Sequence, residues 1–121
     1  MNKKLFYPLI VLGFTLVLLI PLFSKQLLYT DDAELHAARV ASYYLAIKQK
    51  QIPPRWAPNL NSSYGYPVLN FAYPLPYMTS AFIYMALPVT IALALNLTIV
   101  LLVAFGPIGI YYLARHFSLS T

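Results

Sequence analysis

The chain has 121 residues, of which 60% are hydrophobic and 9% are charged, and its mean hydropathy is +0.68. Soluble domains are about 45–50% apolar and about 25% charged, so the composition argues against a soluble domain and also against disorder. The net charge of +5 comes from eight basic residues set in apolar sequence, so we expect lipid and not nucleic acid as the partner. The absence of cysteine excludes disulfides and thiolate metal sites.

The first apolar run covers residues 5–23 and contains no charged residue. As a helix it is long enough for the hydrocarbon core of a bilayer, which is about 30 Å thick. Lys3 and Lys4 precede the run, and the positive-inside rule therefore places the N-terminus in the cytoplasm. We favour an uncleaved signal anchor over a cleaved signal peptide, because the run is too long and no Ala-x-Ala-like site follows it.

Residues 24–76 are predicted to form an extracytoplasmic loop, because they hold all the acidic residues and six of the ten prolines. Within the loop, residues 31–50 lack Pro and Gly, and Asp31 precedes Glu34 by three positions, as in a capping box. We predict an amphipathic helix over 31–50 that lies along the outer membrane interface. The prolines from residue 52 onward predict irregular backbone up to residue 76.

The remaining apolar sequence is interrupted by Pro88. Residues 77–87 are too few to cross a bilayer and predict a re-entrant or interfacial helix, whereas residues 89–114 are enough for a second span. Arg115 follows that span, and a cytoplasmic position for it requires an even number of crossings. The alternative arrangement has three spans and leaves Arg115 outside.

These elements predict a single all-α integral membrane domain over residues 1–121. Two transmembrane helices flank an extracytoplasmic loop that carries the amphipathic interfacial helix and the short re-entrant or interfacial helix. The predicted location is a bacterial inner membrane with the N-terminus in the cytoplasm.

Ionisable side chains cluster at the start of the predicted loop helix. A lowered dielectric beside a membrane can suit such groups to acid–base chemistry. Asp32, His36 and Arg39 share one helix face, where the first two can bind one hydroxyl or one metal ion, or form a solvent-exposed ion pair. The residues alone favour the ion pair, and we assign no metal ligand. Because Asp31 is the expected N-cap, Asp32 is the better catalytic candidate.

The loop also offers an Arg–Trp pair and several tyrosines. Arg55 can clamp a phosphate or bind lipid headgroups, and its sequence context favours the headgroups. The aromatic side chains can stack on a sugar or an isoprenoid, but a membrane-interface belt is the favoured interpretation. These aromatic residues are Trp56, Tyr64, Tyr66 and Tyr73.

Three stretches follow one another in a recognisable order: Asp-Asp-Ala-Glu-Leu-His at 31–36, Ile-Pro-Pro-Arg-Trp-Ala-Pro at 52–58, and Tyr-Gly-Tyr-Pro-Val-Leu-Asn-Phe-Ala-Tyr-Pro-Leu-Pro-Tyr at 64–77. The chain from Thr30 to Arg115 resembles the N-terminal portion of bacterial polytopic membrane proteins with the GT-C glycosyltransferase architecture. It is similar to those named as membrane proteins related to 6-pyruvoyl-tetrahydropterin synthase.

The resemblance implies that an acidic residue after the first span is the general base for an acceptor hydroxyl, while a polyprenyl-phosphate sugar is the donor. Asp32 matches that position best, and Asp31 is the other catalytic candidate. The residues do not identify a cofactor. The candidate substrate-binding residues are His36, Arg39, Arg55, Trp56, Tyr64, Tyr66, Asn70 and Tyr73.

GT-C proteins have many more spans, so we expect this chain to be an N-terminal portion that is inactive without further C-terminal or partner helices. The alternative is a non-catalytic small membrane protein that binds partner helices or anionic lipid, for which the amphipathic helix and the excess basic charge suffice. A fragment of a transporter is the third hypothesis.

Overall fold

The computed structural model describes residues 3–27 and 29–118, and this part of the chain is helical without strands. The α-helices are α1 (Lys3–Leu18), α2 (Ala33–Lys48), α3 (Pro74–Ala86) and α4 (Ile91–Ser118). Two single 3₁₀ turns, Ile20–Phe23 and Pro67–Asn70, lie between them. The predicted all-α class is therefore confirmed.

Helix α4 is long and apolar enough to cross a bilayer, and it is the one helix of the described residues that meets both conditions. Its 28 residues measure about 42 Å along the axis. Helix α1 has 16 residues, about 24 Å, before the chain tightens into the 3₁₀ turn Ile20–Phe23. The first apolar run is thus not one uninterrupted α-helix.

The two halves of α4 have different surroundings. The N-terminal half packs against α2 and α3 and buries Asn96 and Thr98 completely or nearly so. The Thr98 hydroxyl lies 2.8 Å from that of Ser80 on α3, while the Asn96 amide donates to the carbonyls of Ser24 and Gln26. From residue 101 onward the helix exposes large apolar side chains, among them Leu101, Leu102, Val103, Phe105, Ile110 and Leu113. An apolar surface of this extent suits lipid or further helices.

The start of α2 differs from the prediction. The helix begins at Ala33 and ends at Lys48, inside the expected bounds of 31–50. Its N-cap residue is Asp32, whose side chain makes no capping hydrogen bond. The expectation that Asp31 caps the helix is wrong. The Ala33 amide donates to the carbonyl of Thr30, so a backbone bond satisfies the first free amide of the helix.

Helix α2 is also more enclosed than a surface helix. Val40, Tyr43 and Ala46 are buried in a core shared with α3 and α4. His36 and Arg39, which were predicted to share one helix face, pack together with Tyr43 against Tyr77 of α3. These side chains of α2 therefore contact α3 and are not directed only to solvent.

The segment between α2 and α3 is irregular, as the prolines predict, but the irregularity ends earlier than residue 76. Helix α3 begins at Pro74 instead of residue 77, because proline fits the first turn of a helix, where its missing amide has no partner to lose. A pair of backbone hydrogen bonds between Ala57 and Tyr66 closes the segment into a loop. Gly65 within it has a φ of +86°, a conformation that glycine adopts without strain.

Candidate functional site

The first turns of α2 and α3 lie side by side. His36 stacks on Tyr77, and about two turns further along both helices Tyr44 meets Tyr84 edge to face. Because both contacts advance along the two chains together, the helices run in the same direction. Their N-terminal ends, with the polar residues that precede them, therefore meet at one place.

The Tyr77 hydroxyl is the centre of this polar contact. It accepts a hydrogen bond from Nη1 of Arg39 at 3.0 Å and lies 2.8 Å from Nδ1 of His36. A longer bond of 3.4 Å joins it to the hydroxyl of Tyr73, whose ring stacks on that of Tyr77. We call these four residues the Tyr77 cluster: His36, Arg39, Tyr73 and Tyr77.

Arg39 carries a charge that this cluster does not neutralise. Its guanidinium sits 5.7 Å from the centre of the Tyr77 ring, and its Nε is enclosed by protein without a hydrogen-bond partner. Among the described residues, Arg39 donates its side-chain hydrogen bond to a neutral phenol, the Tyr77 hydroxyl. The Arg39 side chain is partly buried, and because an enclosed N–H without an acceptor is costly, the cluster favours a further acceptor, such as an anionic group, beside Arg39.

The two buried tyrosines remain protonated phenols at neutral pH. Burial raises the pKa of Tyr77, the Tyr73 hydroxyl raises it further, and Arg39 opposes the rise. Burial alone raises the pKa of Tyr43. Tyr77 therefore serves as a neutral hydrogen-bonding group that orients Arg39 and His36.

A cleft opens between the start of α2, the chain that leads into it, and α4. It consists of a cavity of about 330 Å³ beside Asp31 and Glu34 and a cavity of about 220 Å³ that reaches His36. Both cavities share the walls formed by Leu27, Thr30 and Ala33, so we describe them together as the α2 cleft. The inner cavity is closed by Leu95, Asn96 and Ile99 of α4. The α2 cleft thus has an acidic outer end and a largely apolar inner end.

The structure separates the two acidic catalytic candidates. Both side chains are exposed, but Asp31 borders the outer cavity, whereas Asp32 is the N-cap residue and is not one of the residues that line the cleft. The reason to prefer Asp32 was the expected capping role of Asp31, and Asp31 does not have that role. The geometry consequently favours Asp31 as the carboxylate that faces a ligand.

The predicted substrate-binding residues fall into two groups. His36, Arg39 and Tyr73 come together in the Tyr77 cluster. The second group lies in the loop between α2 and α3, where the Asn70 amide donates to the Arg55 carbonyl and Trp56 packs on Gly65. Within the described chain, no hydrogen bond joins this second group, Arg55, Trp56, Tyr64, Tyr66 and Asn70, to the Tyr77 cluster.

Tyr77 itself was missed as a site residue. A signal for it was present, because Tyr73 and Tyr77 are four residues apart at the start of a helix, on one face. Its partners on α2 lie about forty positions away, and their contact depends on tertiary packing. Among the described residues, no group of three or more His, Cys, Asp or Glu side chains is arranged to hold a metal ion.

Comparisons with protein-family models, with curated proteins and with solved structures found no match to this chain.

Proposed function

We propose that the chain forms part of a membrane glycosyltransferase-like protein that uses a lipid-linked sugar donor and needs further membrane helices for activity. The observation that carries this proposal is the α2 cleft, which has carboxylates at its outer end and an apolar wall at its inner end. His36, which lines the inner end, belongs to the Tyr77 cluster that also contains Arg39. A lipid-linked sugar offers the three matching parts: hydroxyls, an apolar chain and a phosphate. The order of sequence motifs, which resembles GT-C proteins, supports the same assignment.

The proposed position in the membrane has two spans. Helix α4 provides one, and α1 with the 3₁₀ turn after it provides the other, with α2 and α3 on the extracytoplasmic side. Helices α1 and α4 pack against each other. In addition, the Asn96 amide of α4 donates to the carbonyls of Ser24 and Gln26, which follow the 3₁₀ turn. This arrangement puts the α2 cleft at the extracytoplasmic membrane interface, where a lipid-linked donor can enter the cleft by lateral diffusion in the bilayer.

In the proposed reaction, a hydroxyl of the acceptor attacks the anomeric carbon of the donor sugar. Asp31 takes the hydroxyl proton, the new C–O bond forms, and the bond between the anomeric carbon and the phosphate oxygen breaks. The electron pair of that bond leaves with the polyprenyl phosphate. Asp31 suits the role because it lines the outer cavity and is not required as a helix cap.

Arg39 and its neighbours would hold the donor phosphate. The leaving phosphate gains negative charge as the bond breaks, and a preorganised guanidinium stabilises that charge without reorganisation. The Tyr77 hydroxyl binds both Arg39 and His36, and His36 lines the inner end of the cleft. The apolar residues of α4 at that end, Leu95 and Ile99, would contact the first isoprene units.

Transfer from a polyprenyl-phosphate sugar, measured in membranes that contain the protein in its native full-length context, tests the proposal. A positioned general base contributes about 10²–10⁴-fold, so Asp31→Asn should lower turnover by that factor. Asp32→Asn removes the same charge from the neighbouring position and is the matched control, with turnover expected within about threefold of the unsubstituted protein. Equal and near-normal turnover in both variants would favour the non-catalytic membrane protein instead.

A further inference from the structure

The loop between α2 and α3 holds an exposed Arg–Trp pair in a fixed position. The Trp56 amide donates to Oε1 of Gln51 at 3.2 Å, and the Asn70 amide donates to the Arg55 carbonyl at 3.2 Å. Both bonds use backbone atoms of the pair, so neither of them uses the Arg55 guanidinium or the Trp56 indole. We call the folded segment 50–71 the Arg–Trp platform.

Two further contacts stiffen the platform around the indole. Backbone bonds of 2.8 and 3.1 Å pair Ala57 with Tyr66. The Trp56 ring covers Gly65 so closely that a Cβ at that position would collide with the indole nitrogen. The platform is therefore a preformed surface and not a flexible connection.

This surface exposes the residues that a folded protein ordinarily buries. Tyr64 and Phe71 are each 84% exposed and Trp56 is 45% exposed, while Ala57 and Leu69 form the buried side of the segment. Tyrosine and tryptophan are the residues that favour the boundary between lipid and water, because their rings are apolar and their polar atoms remain hydrated. The exposed set thus matches a bilayer interface in composition.

The positive charge of the platform favours a bilayer that contains anionic lipid. No acidic residue follows Glu34 in the chain, whereas Lys50 and Arg55 lie on the platform itself. Both side chains are exposed. Basic residues near a surface rich in anionic lipid gain a favourable interaction with its phosphates, and a guanidinium can bind a phosphate in a bidentate way.

We propose that the Arg–Trp platform docks on the surface of an anionic bilayer. Arg55 and Lys50 contact lipid phosphates, and Trp56, Tyr64 and Phe71 enter the headgroup region. The platform is separate from the Tyr77 cluster and does not depend on a transferase activity. It would hold the loop between α2 and α3 on the membrane surface.

Trp56 is the single tryptophan of the chain, so its fluorescence reports on the platform directly. The chain is reconstituted in nanodiscs of phosphatidylcholine alone or with phosphatidylglycerol, each with and without brominated lipid. We expect emission at shorter wavelength, stronger quenching by brominated lipid and weaker quenching by aqueous acrylamide in the anionic nanodiscs. Quenching by acrylamide that is equal in both lipids, without quenching by brominated lipid, would overturn the proposal.

Substitutions distinguish lipid docking from other causes of a change in Trp56 fluorescence. Each charge removed by Arg55→Gln or Lys50→Gln should lower the ratio of docked to undocked platform about fivefold in anionic nanodiscs. Lys25→Gln removes an exposed charge outside the platform and should leave the ratio unchanged. Folding of each variant is checked by circular dichroism. A blue-shifted emission that disappears on dilution to one chain per nanodisc would show that a second copy covers the platform, and this too would overturn the proposal.

Discussion

The Tyr77 hydroxyl lies 2.8 Å from Nδ1 of His36, a residue 41 positions earlier in the chain. This contact fixes the start of α3 against the start of α2 and gives Arg39 its hydrogen-bond acceptor. The candidate site consequently depends on a residue that is almost completely buried and contributes one oxygen atom to it.

Removing that oxygen is the first prediction. Tyr77→Phe keeps the ring but leaves Arg39 without its acceptor, and we expect a loss of about 1–3 kcal/mol in the free energy of unfolding. Denaturant unfolding in detergent, followed by circular dichroism, measures the change. Tyr84→Phe on the same helix is the control, because that ring packs edge to face on Tyr44, and it should change the free energy by less than about 0.5 kcal/mol. Equal effects of the two substitutions would show that the Tyr77 hydroxyl does not hold the site together.

The second prediction concerns alkaline pH. Burial raises the pKa of Tyr77 and of Tyr43 above the ordinary value of 10.0, so the folded state holds these protons more tightly than the unfolded state. Their stabilising contribution is complete below that value and is lost as the pH rises from it through the raised pKa. The unfolding free energy should therefore fall at alkaline pH, and less steeply in Tyr43→Phe and Tyr77→Phe. An identical alkaline slope in all three proteins would contradict the assignment.

The third prediction uses two glycines. Gly65→Ala introduces a side chain at a φ of +86° and against the Trp56 ring, so it should destabilise the protein by about 1–3 kcal/mol and change Trp56 emission. Gly13→Ala adds the same methyl group in open space within α1 and should be neutral or stabilise by up to about 1 kcal/mol. Thermal unfolding of both variants distinguishes them. If Gly65→Ala is as harmless as Gly13→Ala, the Trp56 contact does not constrain the platform.

The fourth prediction is the topology. The chain has no native cysteine, so Ser62→Cys and Ser118→Cys each provide a single label site. An impermeant thiol reagent added to intact cells should label position 62 in the outer loop and spare position 118 at the end of α4. Equal labelling of the two positions would contradict the two-span arrangement, because it requires an odd number of crossings before residue 118.

The sequence predicted the elements better than it predicted the contacts between them. The apolar run after residue 76 and its interruption at Pro88 predicted α3 and α4. Both signals could be used because hydrophobicity and the effect of proline on the backbone depend on neighbouring residues only. The predicted start of α2 was wrong, because the carbonyl of Thr30 replaces the expected side-chain cap. A backbone hydrogen bond of this kind does not require a particular residue type, so the sequence does not reveal it.

The site could be predicted only in part for the same reason. His36 and Arg39 were identified from their shared helix face, but Tyr77 meets them through packing between distant segments. Arg55 and Trp56 were grouped with them by sequence order, whereas the fold holds that pair in a separate loop.

The central claim is that the α2 cleft binds a lipid-linked sugar, and photoaffinity labelling tests it most directly. The probe is a polyprenyl-phosphate sugar with a diazirine in its first isoprene unit, bound to the reconstituted chain and mapped by mass spectrometry. We predict labelling of peptides that contain Leu27, Leu95 or Ile99, suppressed by excess unlabelled donor and reduced at least tenfold by Arg39→Gln. Labelling spread over the exposed faces of α1 and α4, and unaffected by competitor or by Arg39→Gln, would contradict the claim.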